Sequence, residues 1–276
     1  MTLTFTKMQG CGNDYIYLDC FAGMPQNAPE LAKKLSPRHF AVGSDGLICI
    51  CQSSVADAKM RMFNADGSES AMCGNGVRCV AQWLYEQGRV GDAASVETGA
   101  GVKTMRRMPD GQWQVEMGTA KFEPADLPAK GFGEGAVVNK ELMIGGRAWP
   151  VTCVSMGNPH CVTLVDDTAA IEIAKLGPQF EHHANFPEGT NTEFIKVLGP
   201  THLQMRVWER GSGETLACGT GTCASVAACV ALGLCWPDTD VKVDLLGGQL
   251  TIRVKPDWSV LMTGPAVTAF TGQVEA

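Results

Sequence analysis

MRMFNADGSESAMCGNG occupies residues 60–76 and MRVWERGSGETLACGTG residues 205–221. At an offset of 145 the pairs Met60/Met205, Arg61/Arg206, Glu69/Glu214, Cys73/Cys218, Gly74/Gly219 and Gly76/Gly221 are identical. Six matches in 17 positions stand well above the about one that ordinary residue usage supplies. The same spacing pairs Gly12–Asn13 with Gly157–Asn158 and Gly88 with Gly233. Coincidence in a Gly-rich chain would not hold one spacing at three separate places, so the chain reads as two homologous halves.

Each half carries the same local signals. MRMF and MRVW are strand-like, and NADGSES and ERGSGET read as polar loops. Cys-Gly-x-Gly then opens a Pro-free, mostly apolar helix, VRCVAQWLYEQG or TCASVAACVALG, ending at a glycine suited to the C′ position, Gly88 or Gly233. Cys73 and Cys218 therefore fall at or just before helix N-termini. WQVEM (113–117), VKVDL (241–245), LTIRV (250–254) and VLMTG (260–264) read as further strands. The Pro- and Gly-rich EPADLPAKGFGEG (123–135) marks the passage between halves, with the boundary placed near residue 120.

Composition narrows the function. Of 276 residues, 45% are apolar and 18% charged, which supports a core and excludes a disordered chain. A net charge of −7 without a basic run argues against nucleic acid, and the Arg106–Arg107 pair reads as a solvated edge. Leu216 to Trp236 is 21 residues without a charge, long enough to span a bilayer. Its small, hydroxylated opening and the lack of a nearby flanking Lys or Arg favour a buried central helix instead. Twelve cysteines, several within apolar runs, and no secretory signal in MTLTFTKMQGCGND suggest reduced thiols in the cytoplasm. Met60, Met62, Met205 and the six Trp read as core, and His39, His182, His183 and His202 as surface.

A helix N-terminus offers unpaired N–H groups and partial positive charge, which suits a carboxylate and favours thiolate over thiol. A pair of cysteines related by an internal repeat could face each other across a cleft between the halves. One thiolate would remove a proton from a tetrahedral carbon and the other thiol would return one on the opposite face, inverting the centre. No cofactor is needed as electron sink, and no motif for one is visible. The alternatives are two cysteines that merely pack at strand–helix junctions, and a metal site from Cys218, Cys223, Cys229 and Cys235. Their spacings of five, six and six lack the tight CxxC pairs of common zinc and iron–sulfur sites, so no metal is expected.

At these residues the sequence resembles the diaminopimelate epimerases. The likeness runs through GCGNDYIYLD (10–19), GSDGL (43–47), FNADGSESAMCGNGVRC (63–79), ETGAG (97–101), SMGNPHCV (155–162), GTNTEF (189–194) and WERGSGETLACGTGTC (208–223). It implies an α/β protein of two pseudo-symmetric domains, each with strands wrapped around a central helix. The C-terminal strand would return to the first domain, giving lobes 1–120 with 264–276, and 121–263. It implies cofactor-independent interconversion of L,L- and meso-diaminopimelate, a small-molecule substrate, on the way to lysine and peptidoglycan. A homodimer is the expected assembly. A proline or hydroxyproline racemase of the same structural class is the alternative. That family shows a His after the first Cys-Gly, where this chain has Asn75.

Carried over by residue, Cys73 and Cys218 match the catalytic acid and base. His160 and Glu209 match polar residues beside the reacting centre, which grip the substrate and support proton transfer. Asn64, Asn158, Asn191 and Arg210 match residues that hold the distal end of the substrate, and Asn13 a further contact. Gly74–Asn75 and Gly219–Thr220 match the backbone anion sites. Taken singly, Asn13, Asn64 and Asn158 could be turn formers, His160 a satisfied core histidine, and Glu209–Arg210 a solvated charge pair. Gly46 stands where some relatives carry a Gln that touches substrate, and Thr192 where Val is common. At offset 145 the cysteines coincide, while Asn64 meets Glu209, Ala65 meets Arg210 and Tyr15 meets His160. Symmetry is kept where the chemistry is symmetric and lost where the two ends of a substrate must be distinguished.

Overall fold

The computed structural model describes residues 2–275. Strands β1 (Thr2–Gly10), β2 (Asn13–Cys20), helix α1 (Ala28–Leu35), β3 (Gly46–Cys51), β4 (Ala58–Asn64), β5 (Glu69–Ser70), α2 (Gly74–Glu86), β6 (Ala93–Thr98), β7 (Gly101–Arg107) and β8 (Trp113–Thr119) come first. A one-turn 3₁₀ helix at Pro124–Asp126 follows. Next are β9 (Lys140–Ile144), β10 (Arg147–Ser155), β11 (Pro159–Leu164), α3 (Ile173–Glu181), β12 (Asn191–Gly199), β13 (His202–Glu209), β14 (Gly213–Thr215) and α4 (Gly219–Ala231). The chain closes with β15 (Val241–Leu245), β16 (Gly248–Val254), β17 (Ser259–Gly264) and β18 (Val267–Glu275). There are two compact units: the chain up to Val115 with Thr263 onward, and Glu116–Met262. β8 and β17 carry the crossings.

In the first unit β1 pairs antiparallel with both β18 and β2. β2 runs parallel to β3, β3 antiparallel to β4, and β4 parallel to β6. The second unit repeats the pattern through β9, β10, β11, β12, β13 and β15. Even the register persists at offset 145: Tyr15↔Gly46 becomes His160↔Asn191, and Met62↔Ser70 becomes Val207↔Thr215. The flanking strand differs in origin. In the first unit it is β18, from the far end of the chain; in the second it is β9, immediately upstream of β10.

The stretches NADGSES and ERGSGET are not wholly loops. β5 and β14 fold back on β4 and β13 as short hairpins. The repeated Arg and Glu explain this, because Arg61 grips Glu69 at 2.8 Å and Arg206 grips Glu214 at 2.7 Å across the paired strands.

α2 lies against β1, β2, β6 and β18, and α4 against β10, β11, β12 and β16. α4 is buried on nearly all sides. The uncharged run from Leu216 to Trp236 thus becomes a 13-residue core helix, and no helix among the described residues is long and apolar enough to cross a membrane. Both helices end in the same motif. Gly88 N–H donates to Tyr85 O and Arg89 N–H to Leu84 O, matched by Gly233 to Val230 and Leu234 to Cys229. Gly88 and Gly233 have φ of 67° and 71°, the left-handed conformation that this cap requires. Apolar cores lie under the remaining helices: Leu31 and Leu35 of α1 pack with Phe5, Leu47 and Phe63, and Phe180 of α3 with Trp149 and Phe194. The methionines 60, 62 and 205 are buried, but Trp236 is 59% exposed, since it follows the end of α4 and its cap rather than facing the core.

Candidate active site

Cys73 and Cys218 are the N-cap residues of α2 and α4. Both have extended backbones, and each sulfur turns back to accept from the N–H of the third helical residue: Gly76 at 3.3 Å, Gly221 at 3.4 Å. A thiol thus takes the place usually filled by Ser, Asp or Asn. The second glycine of Cys-Gly-x-Gly answers to packing. A Cβ at Gly76 would lie 2.9 Å from Ile48 Cδ1, and one at Gly221 would lie 2.5 Å from Glu193 Oε1.

In the first unit the β1–β2 hairpin turns through Cys11 and Gly12, with φ of 53° and 78°. Positive φ at both positions is the two-residue turn that matches strand twist. It puts Asn13 at the start of β2, where Asn13 Oδ1 accepts from the Cys73 thiol at 3.1 Å. Asn13 Nδ2 donates to Asp45 Oδ2 at 2.8 Å, and Arg38 holds Asp45 Oδ1 at 2.7 Å. Asn75 spends its side-chain oxygen on the buried Arg78, at 2.9 Å, and Gly74 O also accepts from Arg78. Asn64 closes the β4–β5 turn, donating to Ser68 Oγ at 3.0 Å. Gly46, opposite Asn64, has no room for a side chain, because a Cβ would run into the Phe63 carbonyl oxygen.

In the second unit the equivalent hairpin has one more residue, Met156–Gly157–Asn158 between the paired Ser155 and Pro159. Asn158 therefore sits in the turn rather than on the strand. Its Nδ2 donates to Thr220 Oγ1 at 3.4 Å, and Thr220 Oγ1 lies 3.6 Å from Cys218 Sγ. Asn158 Oδ1 faces His160 Nε2 at 3.0 Å. His160 is fully buried, with its other nitrogen 2.7 Å from Glu193 Oε1. Glu209 accepts from Thr215 Oγ1 at 2.5 Å. Burial raises the Glu209 carboxyl above its ordinary 4.5, while hydrogen bonds from Thr215 and Cys218 pull it back. Asn191 is 4% exposed and ties two backbone segments together, donating to Pro159 O and accepting from Arg210 N, both at 2.9 Å. Arg210 is exposed and donates to Glu188 O at 2.9 Å. No ion pair joins Glu209 and Arg210 among the described residues.

One expectation from the sequence changes here. The helix start alone argues for a lowered thiol pKa at Cys218. Instead burial, followed by the nearby Glu209 and Glu193, pushes that thiol well above its ordinary 9.0, outweighing the hydrogen bonds from Thr220 and Gly221. Glu193, fully buried and acting on this thiol, is a residue that the sequence motifs do not single out. Its signal lies in the repeat: at offset 145 the counterpart of Glu193 is Ile48, an apolar core position replaced by a carboxylate.

The profile of the diaminopimelate epimerase family matches residues 5–123 and 152–269. A diaminopimelate epimerase of Agathobacter rectalis is 47% identical over 286 residues, covering 99% of each chain. One of Synechococcus elongatus is 47% identical over 279 residues, covering 100% of this chain and 99% of its own. Among solved structures, a phenazine biosynthesis protein of the PhzF family from Bacillus anthracis aligns over all of both chains with a TM-score of 0.74 at 18% identity. A hydroxyproline epimerase from Agrobacterium vitis aligns with a TM-score of 0.68 at 15% identity, over 99% of this chain and 92% of its own. These two share the α/β fold of paired, repeated domains. With both matched segments carrying a cysteine at a helix start, the chain belongs to the diaminopimelate epimerase family.

Proposed function

We propose that this chain is an isomerase that interconverts L,L- and meso-diaminopimelate without a cofactor, within lysine and peptidoglycan-precursor synthesis. The observation that carries the reading is the repeated cap: two thiols, one per unit, each on the N3 amide of its own helix. Inversion at an α-carbon needs a base on one face and an acid on the other. Cys73 and Cys218 fill these roles, one as thiolate and one as thiol, and exchange them with the direction of reaction. The α-carboxylate binds the helix-start backbone at Gly74–Asn75 and Gly219–Thr220, whose N–H dipoles stabilise charge as the carbon becomes planar.

The substrate carries an amino acid at each end, and the unlike residues of the two halves distinguish them. Arg210 supplies a fork of donors for the distal carboxylate. Asn13, Asn64, Asn158 and Asn191 supply donors and acceptors, directly or by fixing the backbone around them. Glu209 and His160 support the reacting end, with Glu209 an acceptor for ammonium. The reading includes a cytoplasmic homodimer. Purified chain incubated with L,L-diaminopimelate, without added cofactor, should yield the meso form. Turnover of proline or hydroxyproline in its place would contradict the assignment.

A further inference from the structure

The second unit buries a carboxylate that the proposed chemistry does not use. Glu193 is fully buried, its Oε2 has no hydrogen-bond partner among the described residues, and its Oε1 meets His160 Nδ1 at 2.7 Å. His160 is its one ion-pair partner among the described residues. A carboxylate removed from water either takes up a proton or is met by a countercharge, and the imidazole 2.7 Å away can supply one. The other ring nitrogen also faces an acceptor, Asn158 Oδ1 at 3.0 Å. Two acceptors around one imidazole require two N–H donors.

The geometry points to Glu193 as a positioning residue that holds His160 as a buried imidazolium, and through it locks the Asn158 amide with its oxygen inward and its NH₂ toward Thr220 and the ligand. Asn158 is half-buried, and one of its N–H bonds is committed to Thr220 Oγ1. The second remains to donate to a ligand carboxylate. An amide free to turn over would present its oxygen there and repel the same group. The first unit fixes its asparagine by another route and with the opposite outcome: Asp45 takes Asn13 Nδ2 directly, which turns Asn13 Oδ1 toward Cys73. The counterparts of Glu193 and His160 there are Ile48 and Tyr15, which cannot form the pair. The repeat has thus kept both asparagines and given them opposite polarity, one offering an acceptor and one a donor.

The recognition part of this inference rests on the proposed epimerase activity; the protonation state of His160 does not. Histidine-selective ¹⁵N labelling of the full chain gives five imidazoles, and His160→Gln identifies the signal of interest. The expected spectrum of the substrate-free protein shows two ring N–H signals for His160, and one in Glu193→Gln. A single ring N–H in the unsubstituted chain would overturn the inference, whatever the enzyme turns over. In kinetics, Glu193→Gln should raise KM about tenfold with kcat within about threefold, as expected for losing a fixed donor to a charged ligand. Asn158→Asp, with oxygen on both sides, should raise KM further while keeping both His160 N–H signals. A loss confined to kcat in both variants would overturn the recognition role. Absence of epimerisation by the unsubstituted chain would instead overturn the proposed function and leave the spectroscopic result standing.

Discussion

The Gly221 amide donates to the Cys218 sulfur at 3.4 Å, from a position where a Cβ would lie 2.5 Å from Glu193 Oε1 and 3.2 Å from that sulfur. The cap and the packing beneath it compete for the same space, and only glycine serves both. Gly221→Ala should therefore lose stability despite the ~1 kcal/mol by which Ala favours a helix interior. Overpacking typically costs about 1–3 kcal/mol, so a net loss of up to about 2 kcal/mol is expected, with turnover falling at least about tenfold. Urea unfolding and steady-state kinetics on the same variant would check both. An unchanged rate would show that the sulfur position is not set by this contact.

Gly88 and Gly233 test the helix ends without any steric term, because nothing lies within 4 Å of a Cβ at either residue. Alanine there should cost ~1 kcal/mol each, the penalty of left-handed backbone for an L-residue. Denaturant midpoints measured at constant m-value would give it. A cost near zero at both would mean that the caps contribute nothing.

The two thiols should differ in reactivity before any substrate is added. Cys73 is half-buried, whereas Cys218 is 5% exposed and raised by burial and by Glu209 and Glu193. Iodoacetamide near neutral pH should modify Cys73 at least about tenfold faster, since the thiolate is the nucleophile. Peptide mapping over time resolves the sites, and equal rates would contradict the electrostatic description of Cys218.

Glu209 gives a pH dependence with a definite sign. Burial raises its carboxyl above 4.5, so the fold prefers the neutral acid. That contribution is complete below the unfolded value and is lost as the pH rises through the higher folded one. Glu209→Gln, neutral at every pH, should therefore gain stability over the unsubstituted chain as the pH goes from about 4 to about 8. Urea unfolding at both ends of that range measures the difference, and a constant difference would contradict a raised carboxyl.

How much of this was legible follows from where the signals reside. Periodic features were read directly: the repeat at offset 145, the strands MRMF and MRVW, the helices after Cys73 and Cys218, and their terminal glycines. Each is a local pattern whose meaning does not depend on distant chain. β5 and β14 were missed because polar hairpin arms look like loops until Arg61 and Arg206 find their glutamates across the ladder. Asn13 and Asn158 were recognised as equivalents, but the extra residue in the second turn, which changes how each is presented, appears only in the strand register. Glu193 escaped because a lone carboxylate in a strand reads as solvent-facing. Its burial depends on His160 from the neighbouring strand, and pairing across strands is not written into either segment alone.

The account depends most on two different groups handling the proton on the two faces of the α-carbon. The direct measurement is early conversion of L,L-diaminopimelate in deuterated water, with product and recovered substrate both analysed by mass. The account expects solvent deuterium in the first meso product and protium still in the remaining L,L form. Cys73→Ala and Cys218→Ala should each abolish product formation while folding normally. Product that retains its original α-hydrogen, or full turnover by either single variant, would contradict the two-thiol mechanism.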